Sequence, residues 1–298
     1  MAQVILSVLA AMFQSFNTLF NKGVASVDSY WEKISMKVPS SGAQENYAWL
    51  GNMPLLREWI GERAIKKLIK KSYSIKNKKF EATVEIKREE IEDDTCGVYS
   101  PVIQNMGESA AAWPDQLTFE LLANGFTEKC YDDQPFFSNN HPVGDNKVSN
   151  TNKKPLSLGN FKEARSLMMK YKNDEGKPLG IVPNVLVVGP DLEDTARQIL
   201  EADFVNDGGT MVSNTSKGLA ELLVVPWLAG HDGKWFLLDT RKAIKPLIFQ
   251  ERRAPEFKSI TDPTSDHVFM NDAFLYGVDA RGNVGFSFWQ LAFGSTGK

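Results

Sequence analysis

The chain has 298 residues, of which 42% are hydrophobic and 24% charged, and its formal net charge is -3 at pH 7. This is the composition of a globular protein, and the 18 phenylalanines, 7 tryptophans and 7 tyrosines exclude disorder along the whole chain. The slightly acidic balance gives no support for a protein whose main task is to hold nucleic acid. Only two cysteines, Cys96 and Cys130, are present. Two free thiols are therefore favoured over one disulfide.

The first twenty residues carry an apolar stripe at helical spacing, which predicts a packing helix. Its most apolar stretch, residues 4–13, is far shorter than the roughly 20 residues that a membrane-spanning helix needs, so no membrane is expected as a partner. The first basic residue, Lys22, follows the apolar run, which argues against a signal peptide. Docking on another chain is a second interpretation of this stripe, with Phe13 and Phe16 as candidate contacts.

A lysine-rich stretch follows, with eleven basic and four acidic residues between Arg57 and Arg88. Apolar residues interrupt it on both sides of the polar run 76–79, which predicts a long β-hairpin with its turn at that run. A two-stranded hairpin is marginally stable alone in water, so it should lie on a neighbouring subunit or extend into solvent. A contact with phosphates is a weaker alternative. The candidate contact residues are Lys66, Lys70, Lys71, Lys76, Lys78 and Lys79.

An acidic run comes directly after the lysines, with five acids among the six residues 89–94. One interpretation is a solvated surface. The other is that opposite charges on one chain meet their complements on the next chain, which would set the register of assembly. The candidate residues are Glu89, Glu90, Glu92, Asp93 and Asp94.

A long helix is predicted next, from Ser100 to near Gly125. Pro101 suits a first helical turn, and Ser100 is a candidate cap. Trp113-Pro114 should kink or split the helix. Such a long element is a candidate spine for the fold.

The remaining chain divides into an α/β module and a β-rich end. Helix 158–172, strand 185–188, a helix capped by Asp191 and strand 222–225 alternate in the module. Further strands are predicted at 235–238, 245–249, 268–270, 274–276 and 286–289, with the clearest turn at 280–283.

No chemistry-bearing motif was found. The three histidines, His141, His231 and His267, stand far apart, and no cysteine or histidine pair has zinc-ligand spacing. Phosphate-binding, dinucleotide-binding and nucleophile-elbow motifs are all missing. We therefore expect no catalytic residue, no cofactor and no metal, although groups that converge only in space would escape such a search.

Several long segments resemble the major head subunit family of Mu-like tailed phages. They begin with Tyr47-Ala-Trp-Leu-Gly51 and Leu56-Arg-Glu-Trp-Ile-Gly61, and the resemblance extends from about residue 30 onward. No single segment is chemically diagnostic, but their number and order make the match specific. The other segments are 73–81, 91–94, 97–101, 130–137 with His141-Pro142, 245–253 and 267–270.

The resemblance implies an α+β fold, the tailed-phage (HK97-like) capsid fold. It would comprise an N-terminal arm, an extended β-hairpin loop, a peripheral domain with a spine helix at about 98–125, an axial α/β domain, and C-terminal strands that return to the peripheral domain. The implied bounds are, in that order, 1–56, 57–92, 93–178, 179–245 and 246–298.

The implied function is that of a major capsid protein, which is not an enzyme. It would assemble with itself into hexamers and pentamers of an icosahedral head shell that encloses double-stranded phage DNA non-specifically. Scaffold and portal proteins would be partners, with decoration proteins left open. The product would be a virion assembled in the bacterial cytoplasm.

Other interpretations remain at this point. An encapsulin-like compartment shell is one alternative, and a soluble α/β enzyme with its site in the middle module is a less favoured one. Some relatives of the fold crosslink a lysine to an asparagine of a neighbour. Lys76, Asn77, Lys78 and Lys79 match no known pattern for this, so a non-covalent loop is expected.

Overall fold

The computed structural model describes residues 2–50, 73–92, 95–207 and 209–298. The helices are α1 Ala2–Ala25, α2 Trp31–Ile34, α3 Arg88–Glu92, α4 Ser100–Ala123, α5 Leu158–Met169, α6 Glu193–Leu200 and α7 Asp266–Asn271. The first strands are β1 Ser35–Pro39, β2 Gln44–Asn46, β3 Ser74–Lys76, β4 Lys78–Lys87, β5 His141–Val143, β6 Asn146–Val148, β7 Thr151–Asn152 and β8 Val185–Val188. The later strands are β9 Phe204–Asp207, β10 Thr210–Ser213, β11 Glu221–Val224, β12 Trp235–Leu238, β13 Leu247–Ile260, β14 Ala273–Phe286 and β15 Ala292–Ser295.

One sheet has the strand order β1-β13-β14-β4, with β1 parallel to β13 and the other pairs antiparallel. Strands β13 and β14 are 14 residues long, and their register shifts between Glu251 and Glu256. Apolar residues of α1 and α4 form one buried cluster with side chains of this sheet. Both helices are therefore fixed to the sheet by apolar burial.

Helices α1 and α4 approach each other closely where two glycines meet the opposite backbone. A Cβ on Gly107 would lie 2.1 Å from the Phe20 carbonyl oxygen, and one on Gly23 would lie 2.1 Å from that of Gln104. No side chain fits at such distances, so glycine at both positions permits the close crossing. The predicted first helix is confirmed, and it packs against its own chain.

Helix α4 runs through Pro114 as one helix of 24 residues, which excludes the predicted split. It begins at Ser100 without a side-chain cap, so the predicted Ser100 cap is wrong. Trp113 helps to explain the continuity: its ring lies 5.1 Å from that of Phe80 and 5.4 Å from that of Phe249. These aromatic contacts hold the helix on the sheet and offset the hydrogen bond that proline cannot donate.

A second sheet has the order β11-β8-β12-β15-β7 and mixes parallel and antiparallel pairs. Strands β8 and β12 are buried at all four positions, which confirms two strands predicted from their continuous apolar runs. Helices α5 and α6 contribute Phe161, Ala164 and Ile199 to the same core cluster. The predicted α/β module is therefore present, although its helix α5 ends at Met169 rather than Lys172.

Four local predictions in the second half of the chain are wrong. The predicted strand 286–289 lies almost wholly beyond the end of β14 at Phe286. Residues 268–270 belong to helix α7 instead of a strand. The predicted turn 280–283 is continuous strand within β14, where a Cβ on Gly282 would lie 2.5 Å from the Gln250 carbonyl oxygen. Glycine is thus required there for close strand packing, and it does not mark a turn. Asp191 does not cap α6, because its carboxylate accepts a hydrogen bond from the Gly233 amide at 2.7 Å.

The predicted hairpin with its turn at 76–79 is also wrong in the described residues. Strand β3 pairs with β2, and β4 pairs with β14 over ten positions, so β3 and β4 are not partners. In the larger sheet, the apolar side chains of β4 are covered by the core that α1 and α4 form. An isolated two-stranded hairpin would leave them exposed to water. Most of the predicted first arm lies in 51–72, outside the described residues.

None of the helices in the described part of the chain combines the length and apolar character that crossing a bilayer requires.

Candidate functional site: assembly surfaces and buried polar clusters

The two phenylalanines predicted as contacts of the first helix pack within their own chain. The Phe13 ring stacks on Phe257 at 5.7 Å, and the Phe16 ring meets Tyr276 edge-on at 5.0 Å. Phe16 is only 3% exposed. Burial in the subunit core therefore explains this residue, and a contact with a second chain through Phe13 stays a prediction.

The lysines of the predicted loop fall in two groups. Lys76, Lys78 and Lys79 have exposed side chains at the junction of β3 and β4. Lys66, Lys70 and Lys71 lie outside the described residues. The first group is therefore accessible to solvent, and its three members lie on strands β3 and β4 and not at a loop tip.

The acidic run begins on the short helix α3. Glu89 is exposed and lies 3.8 Å from the ammonium group of Lys87, whereas Glu90 accepts hydrogen bonds from the Tyr99 hydroxyl at 2.6 Å and the Lys87 amide at 3.1 Å. The hydrogen bond from Tyr99 is the main cause that lowers the pKa of Glu90. Glu92 is described only in its backbone, and Asp93 and Asp94 lie outside the described residues. Glu90 thus has a role within its own subunit, which leaves Glu89 as the accessible acid.

A buried polar cluster fixes β2 and β3 on the larger sheet, and we call it the Gln250 clamp. The Gln250 side chain accepts a hydrogen bond from the Tyr47 hydroxyl at 2.8 Å and donates to the Asn77 side-chain oxygen at 2.7 Å. Asn77 in turn donates to the Ser40 hydroxyl at 2.8 Å and to the Gly42 carbonyl at 3.0 Å. Asn77 is buried, so it does not lie at an exposed tip where a crosslink would form.

Two tyrosines complete this arrangement on either side of residues 51–72. The Tyr47 amide donates to the Tyr73 carbonyl at 2.8 Å, and the Tyr73 hydroxyl accepts from the Phe286 amide at 2.8 Å. Burial, with a smaller effect of Glu45, raises the pKa of Tyr47 to about 12, so its hydroxyl keeps its proton at neutral pH. The described residues on either side of 51–72 are therefore held close together by hydrogen bonds.

A second buried polar cluster joins Cys130, Asp132 and His141. The Asp132 carboxylate accepts from the Cys130 thiol at 3.1 Å and lies 2.7 Å from the His141 Nδ1. On the other ring nitrogen, His141 faces the Phe136 carbonyl at 3.2 Å and the Asn150 side-chain oxygen at 3.1 Å. Both ring nitrogens of His141 therefore face oxygen atoms of its own chain.

This cluster ties the loop after α4 to the C-terminal end of the chain. The His141 ring stacks on Trp289 with centroids 4.1 Å apart, and Asn150 donates to the Ala292 carbonyl at 3.2 Å. Burial opposes ionisation of Asp132, but hydrogen bonds from His141 and Cys130 outweigh it and lower the pKa of Asp132. The network is a buried structural clasp between these two segments.

The same cluster has little capacity for nucleophilic chemistry. Burial, followed by the charge of Asp132, raises the pKa of the Cys130 thiol, and a buried thiol that keeps its proton is a poor nucleophile. The three ligand atoms lie within 4.8 Å of one another, a spacing compatible with a metal, but each already has a hydrogen-bond partner in the chain. Sequence spacing could not reveal this cluster, because only the fold of the loop brings the residues together.

Exposed apolar residues occur at two places that the sequence analysis missed. Phe269 and Met270 on α7 are 80% and 76% exposed, and Phe204 and Met211 on the β9–β10 hairpin are 60% and 65% exposed. Large apolar side chains at such exposure mark candidate contact surfaces. Exposure was not predictable because these residues stand in short apolar runs that resemble buried strands.

The chain matches the family model for the Mu-like prophage major head subunit gpT over residues 9–154, 147–228 and 229–298. It is 36% identical to the Mu-like prophage FluMu major head subunit of Haemophilus influenzae over 298 residues, which cover 100% of this chain and 76% of the relative. It is 35% identical to the major capsid protein of Escherichia phage Mu over 284 residues, which cover 95% of this chain and 72% of the relative.

Among solved structures, the procapsid of bacteriophage JBD30 superimposes with a TM-score of 0.61 at 35% sequence identity. That match covers 98% of this chain and 76% of the JBD30 chain. The predicted α+β fold of tailed-phage capsid proteins is thereby confirmed. Because the family model spans nearly all of the sequence, the chain belongs to the Mu-like prophage major head subunit gpT family.

Proposed function

We propose that this chain is a major capsid protein whose copies assemble into the head shell of a Mu-like phage. The observation that carries the proposal is the match to the JBD30 procapsid, at 35% identity over 98% of the chain. Identity at this level along nearly the whole sequence supports shared assembly as well as shared fold. The encapsulin-like alternative has no comparable sequence support.

The segments of the shell subunit follow the order that the sequence predicts. Residues 1–56 would form the N-terminal arm, 57–92 the extended loop, 93–178 the peripheral domain with α4 as spine, and 179–245 the axial domain. The paired strands β2 and β3 and the Gln250 clamp support a loop that begins and ends at one place. They support a base for that loop near residues 46 and 74, which would start earlier than residue 57 and end before β4.

Self-association would combine apolar and charged contacts. The exposed Lys76, Lys78 and Lys79 of one copy would meet acidic residues such as Glu89 of another, with the lysines at 66, 70 and 71 and the acids at 92–94 as further members of the same surfaces. Complementary charge of this kind sets register and speeds association more than it adds affinity. Assembly should therefore weaken as salt rises.

The remaining partners follow from the role of a shell. Hexamers and pentamers would enclose packaged double-stranded DNA without sequence preference, with scaffold, portal and decoration proteins as further partners. Assembly would take place in the bacterial cytoplasm, and the mature location would be the virion. Membership of a family of head subunits supports a structural role.

Negative-stain electron microscopy of the chain, expressed alone and with its neighbouring genes, tests the proposal. Closed shells, tubes or ring-shaped capsomers are expected. A small compact particle under every condition would contradict a shell function and favour the enzyme alternative.

The extended loop has its own test. Replacing residues 53–70 with a short glycine-serine linker should leave the subunit folded but abolish shells, because a loop that packs on a neighbour adds little to its own domain. A matched control is Asn77→Ala, which keeps the loop but breaks the Gln250 clamp. That control should lower the thermal midpoint of the subunit, whereas normal shells from the loop replacement would contradict the extended-loop assignment.

A further inference from the structure

Strand β4 lies at one edge of the larger sheet, and no strand in the described part of the chain pairs with its outer side. Its pairing with β14 runs without a break from Lys78 to Lys87. A regular edge strand of this length presents unpaired backbone amide and carbonyl groups, which form a template for a strand of another chain. The outer edge of β4 is therefore a candidate contact surface.

The backbone groups that point outward belong to the odd-numbered residues of β4. The Lys87 amide donates to the Glu90 carboxylate at 3.1 Å, so it points away from β14. In contrast, a Cβ on Gly277 of β14 would lie 3.1 Å from the Ala82 carbonyl oxygen, which places that carbonyl on the β14 side. Because successive residues of an antiparallel strand direct their backbone groups to alternate sides, the amides and carbonyls of residues 79–85 with odd numbers point outward.

The side chains of these odd-numbered residues share the outer face of the sheet and carry charge in a fixed order. Lys79, Glu81, Thr83 and Glu85 are all exposed. Among the ion pairs of the described residues, none includes Lys79. Glu85 lies 3.2 Å from the His267 ring, yet 52% of its side chain remains exposed. One base and two acids are therefore accessible along this edge.

The inner face of β4 is apolar and only partly covered. Phe80, Ala82 and Val84 pack against core clusters of their own chain but remain partly exposed. A groove of about 210 Å³ lies beside Phe80 and Ala82, with side chains of α4 as its other wall. A second strand laid along β4 would cover this apolar strip together with the unpaired backbone groups.

The strand geometry limits the registers in which a second copy of β4 could occupy this edge. In an antiparallel pair, the outward-pointing residues of one strand must lie opposite the outward-pointing residues of the other. Odd-numbered residues therefore face odd-numbered residues, and the two-fold axis passes through a residue position. The longest overlaps of residues 78–87 place that axis at Ala82 or at Thr83.

Charge decides between these two registers. The axis at Ala82 puts Lys79 opposite Glu85 of the other copy, twice by symmetry. The axis at Thr83 would put Glu81 opposite Glu85, also twice, and like charges directly opposite each other destabilise a sheet. We propose that β4 of one copy pairs with β4 of a second copy in an antiparallel ladder centred on Ala82, an inference that rests on the proposed shell function.

This contact is isologous, because both copies use the same strand. The rotation that closes a ring of subunits relates its members head to tail, so a ring alone does not produce such a contact. The ladder would therefore join subunits of two neighbouring capsomers and merge their two four-stranded sheets into one continuous sheet.

Disulfide trapping at the axis tests the pairing in assembled particles. In a Cys96→Ser background, which keeps the buried Cys130, Ala82→Cys places two thiols opposite each other. Since the backbone groups of Ala82 face β14, this is a non-hydrogen-bonded pair with Cα atoms about 4.5 Å apart, a distance that suits a disulfide. Oxidation should give covalent dimers and nothing larger, because one accessible cysteine can join only two copies.

The matched control is Thr83→Cys, one position along the same strand. In the proposed register the two Thr83 positions are diagonal neighbours, about 7–8 Å apart, so dimers should form at least tenfold more slowly. Faster dimer formation by Thr83→Cys than by Ala82→Cys would overturn the register. Particles that assemble but give no dimer from either variant would refute the β4 contact and leave the shell function standing. An absence of particles from the unmodified chain under every condition would instead refute the shell function.

Charge exchange gives a second, independent test. Lys79→Glu or Glu85→Lys alone would place like charges opposite each other at two points, and particle yield should fall at least threefold. The double variant restores opposite charges with the partners exchanged, so its yield should recover. The thermal midpoint of each unassembled subunit should stay nearly unchanged, because exposed ion pairs add little stability. A folded double variant that assembles no better than the single variants would contradict the pairing of Lys79 with Glu85.

Discussion

The N-terminal segment and the β9–β10 hairpin both present apolar side chains, but the first buries them and the second leaves them exposed. Phe16 and Phe20 of α1 are 3% exposed and belong to a core cluster with Phe257 and Tyr276. Phe204 and Met211 have no such cover. The comparison teaches that an apolar stripe near a terminus can belong to the subunit core, whereas a short hairpin in mid-chain can be the surface left for assembly.

The largest effect is expected for Phe16→Ser, which would remove a buried ring that contacts Tyr276. Loss of a buried phenylalanine costs about 3–5 kcal/mol, and a buried serine hydroxyl without a partner adds to this cost. We expect the free energy of unfolding to fall by that amount in a urea titration of the unassembled subunit. An unchanged urea midpoint would show that α1 is not part of the subunit core and would revive its role as a docking helix.

A smaller loss is expected for Gly107→Ala at the crossing of α1 and α4. The new methyl would overlap the Phe20 carbonyl, and overpacking of this kind costs about 1–3 kcal/mol. The matched control is Gly159→Ala in α5, where nothing lies within 4 Å of the new Cβ. The control should gain about 0.5–1 kcal/mol from helix propensity. Thermal unfolding of both variants with opposite signs would confirm the close crossing, and equal signs would contradict it.

A gain in stability is expected for Asp115→Asn, at the second attachment of the N-terminal segment to α4. One oxygen of Asp115 accepts from the Tyr30 amide at 3.0 Å and the Trp31 amide at 2.6 Å. The other oxygen is buried without a hydrogen-bond partner in the described residues. Burial outweighs the two hydrogen bonds and raises the pKa of Asp115 to about 6. Asparagine can accept the same two bonds without a charge.

The pH dependence of this gain has a definite sign. An acid with a raised folded-state pKa contributes most below its unfolded pKa near 3.8, and that contribution is lost as the pH rises through about 6. Asp115→Asn should therefore be more stable than the parent by roughly 1–3 kcal/mol at pH 7, since one unit of pKa corresponds to about 1.4 kcal/mol. Urea titrations from pH 4 to pH 7.5 should show the difference growing and then levelling. A difference that stays constant with pH would contradict the raised pKa.

The smallest effect on subunit stability is expected for Phe204→Ser, which changes a side chain that is 60% exposed. The free energy of unfolding should change by less than about 0.5 kcal/mol, as for most surface substitutions. Particle yield, counted by electron microscopy, should nevertheless fall. The reverse result, an unfolded subunit, would show that the β9–β10 hairpin packs on its own chain and would remove the contrast with α1.

Buried strands and amphipathic helices could be predicted from the sequence, because burial imposes a local apolar pattern on them in any fold. Strands β8 and β12 and helices α1 and α4 were found in this way. The predictions failed where distant residues decide the outcome. Gly282 lies in a sequence typical of a turn, but it is a strand residue that lets two strands pack closely. Asn77 lies in a polar run, but it is buried and hydrogen-bonded to Gln250.

The candidate surfaces were predictable only in part, for a related reason. Runs of lysine and glutamate mark solvent exposure, and Lys76, Lys78, Lys79 and Glu89 are indeed exposed. Phe204 and Phe269 are exposed because no other element of the described chain packs over them. The sequence around them carries no signal of this. The Cys130–Asp132–His141 clasp likewise depends on the course of a loop.

The pairing of β2 with β3 has a consequence for variation among related shells. Because Asn46 and Ser74 are direct strand partners, joining them across the intervening chain costs a closure entropy, apart from the packing of Tyr47, Leu50 and Tyr73 in the core. That cost grows slowly, by about 0.6 kcal/mol for each doubling of length. Insertions and deletions between these two strands can therefore be accommodated at a small entropic cost, as long as Tyr47, Leu50 and Tyr73 keep their contacts with the core.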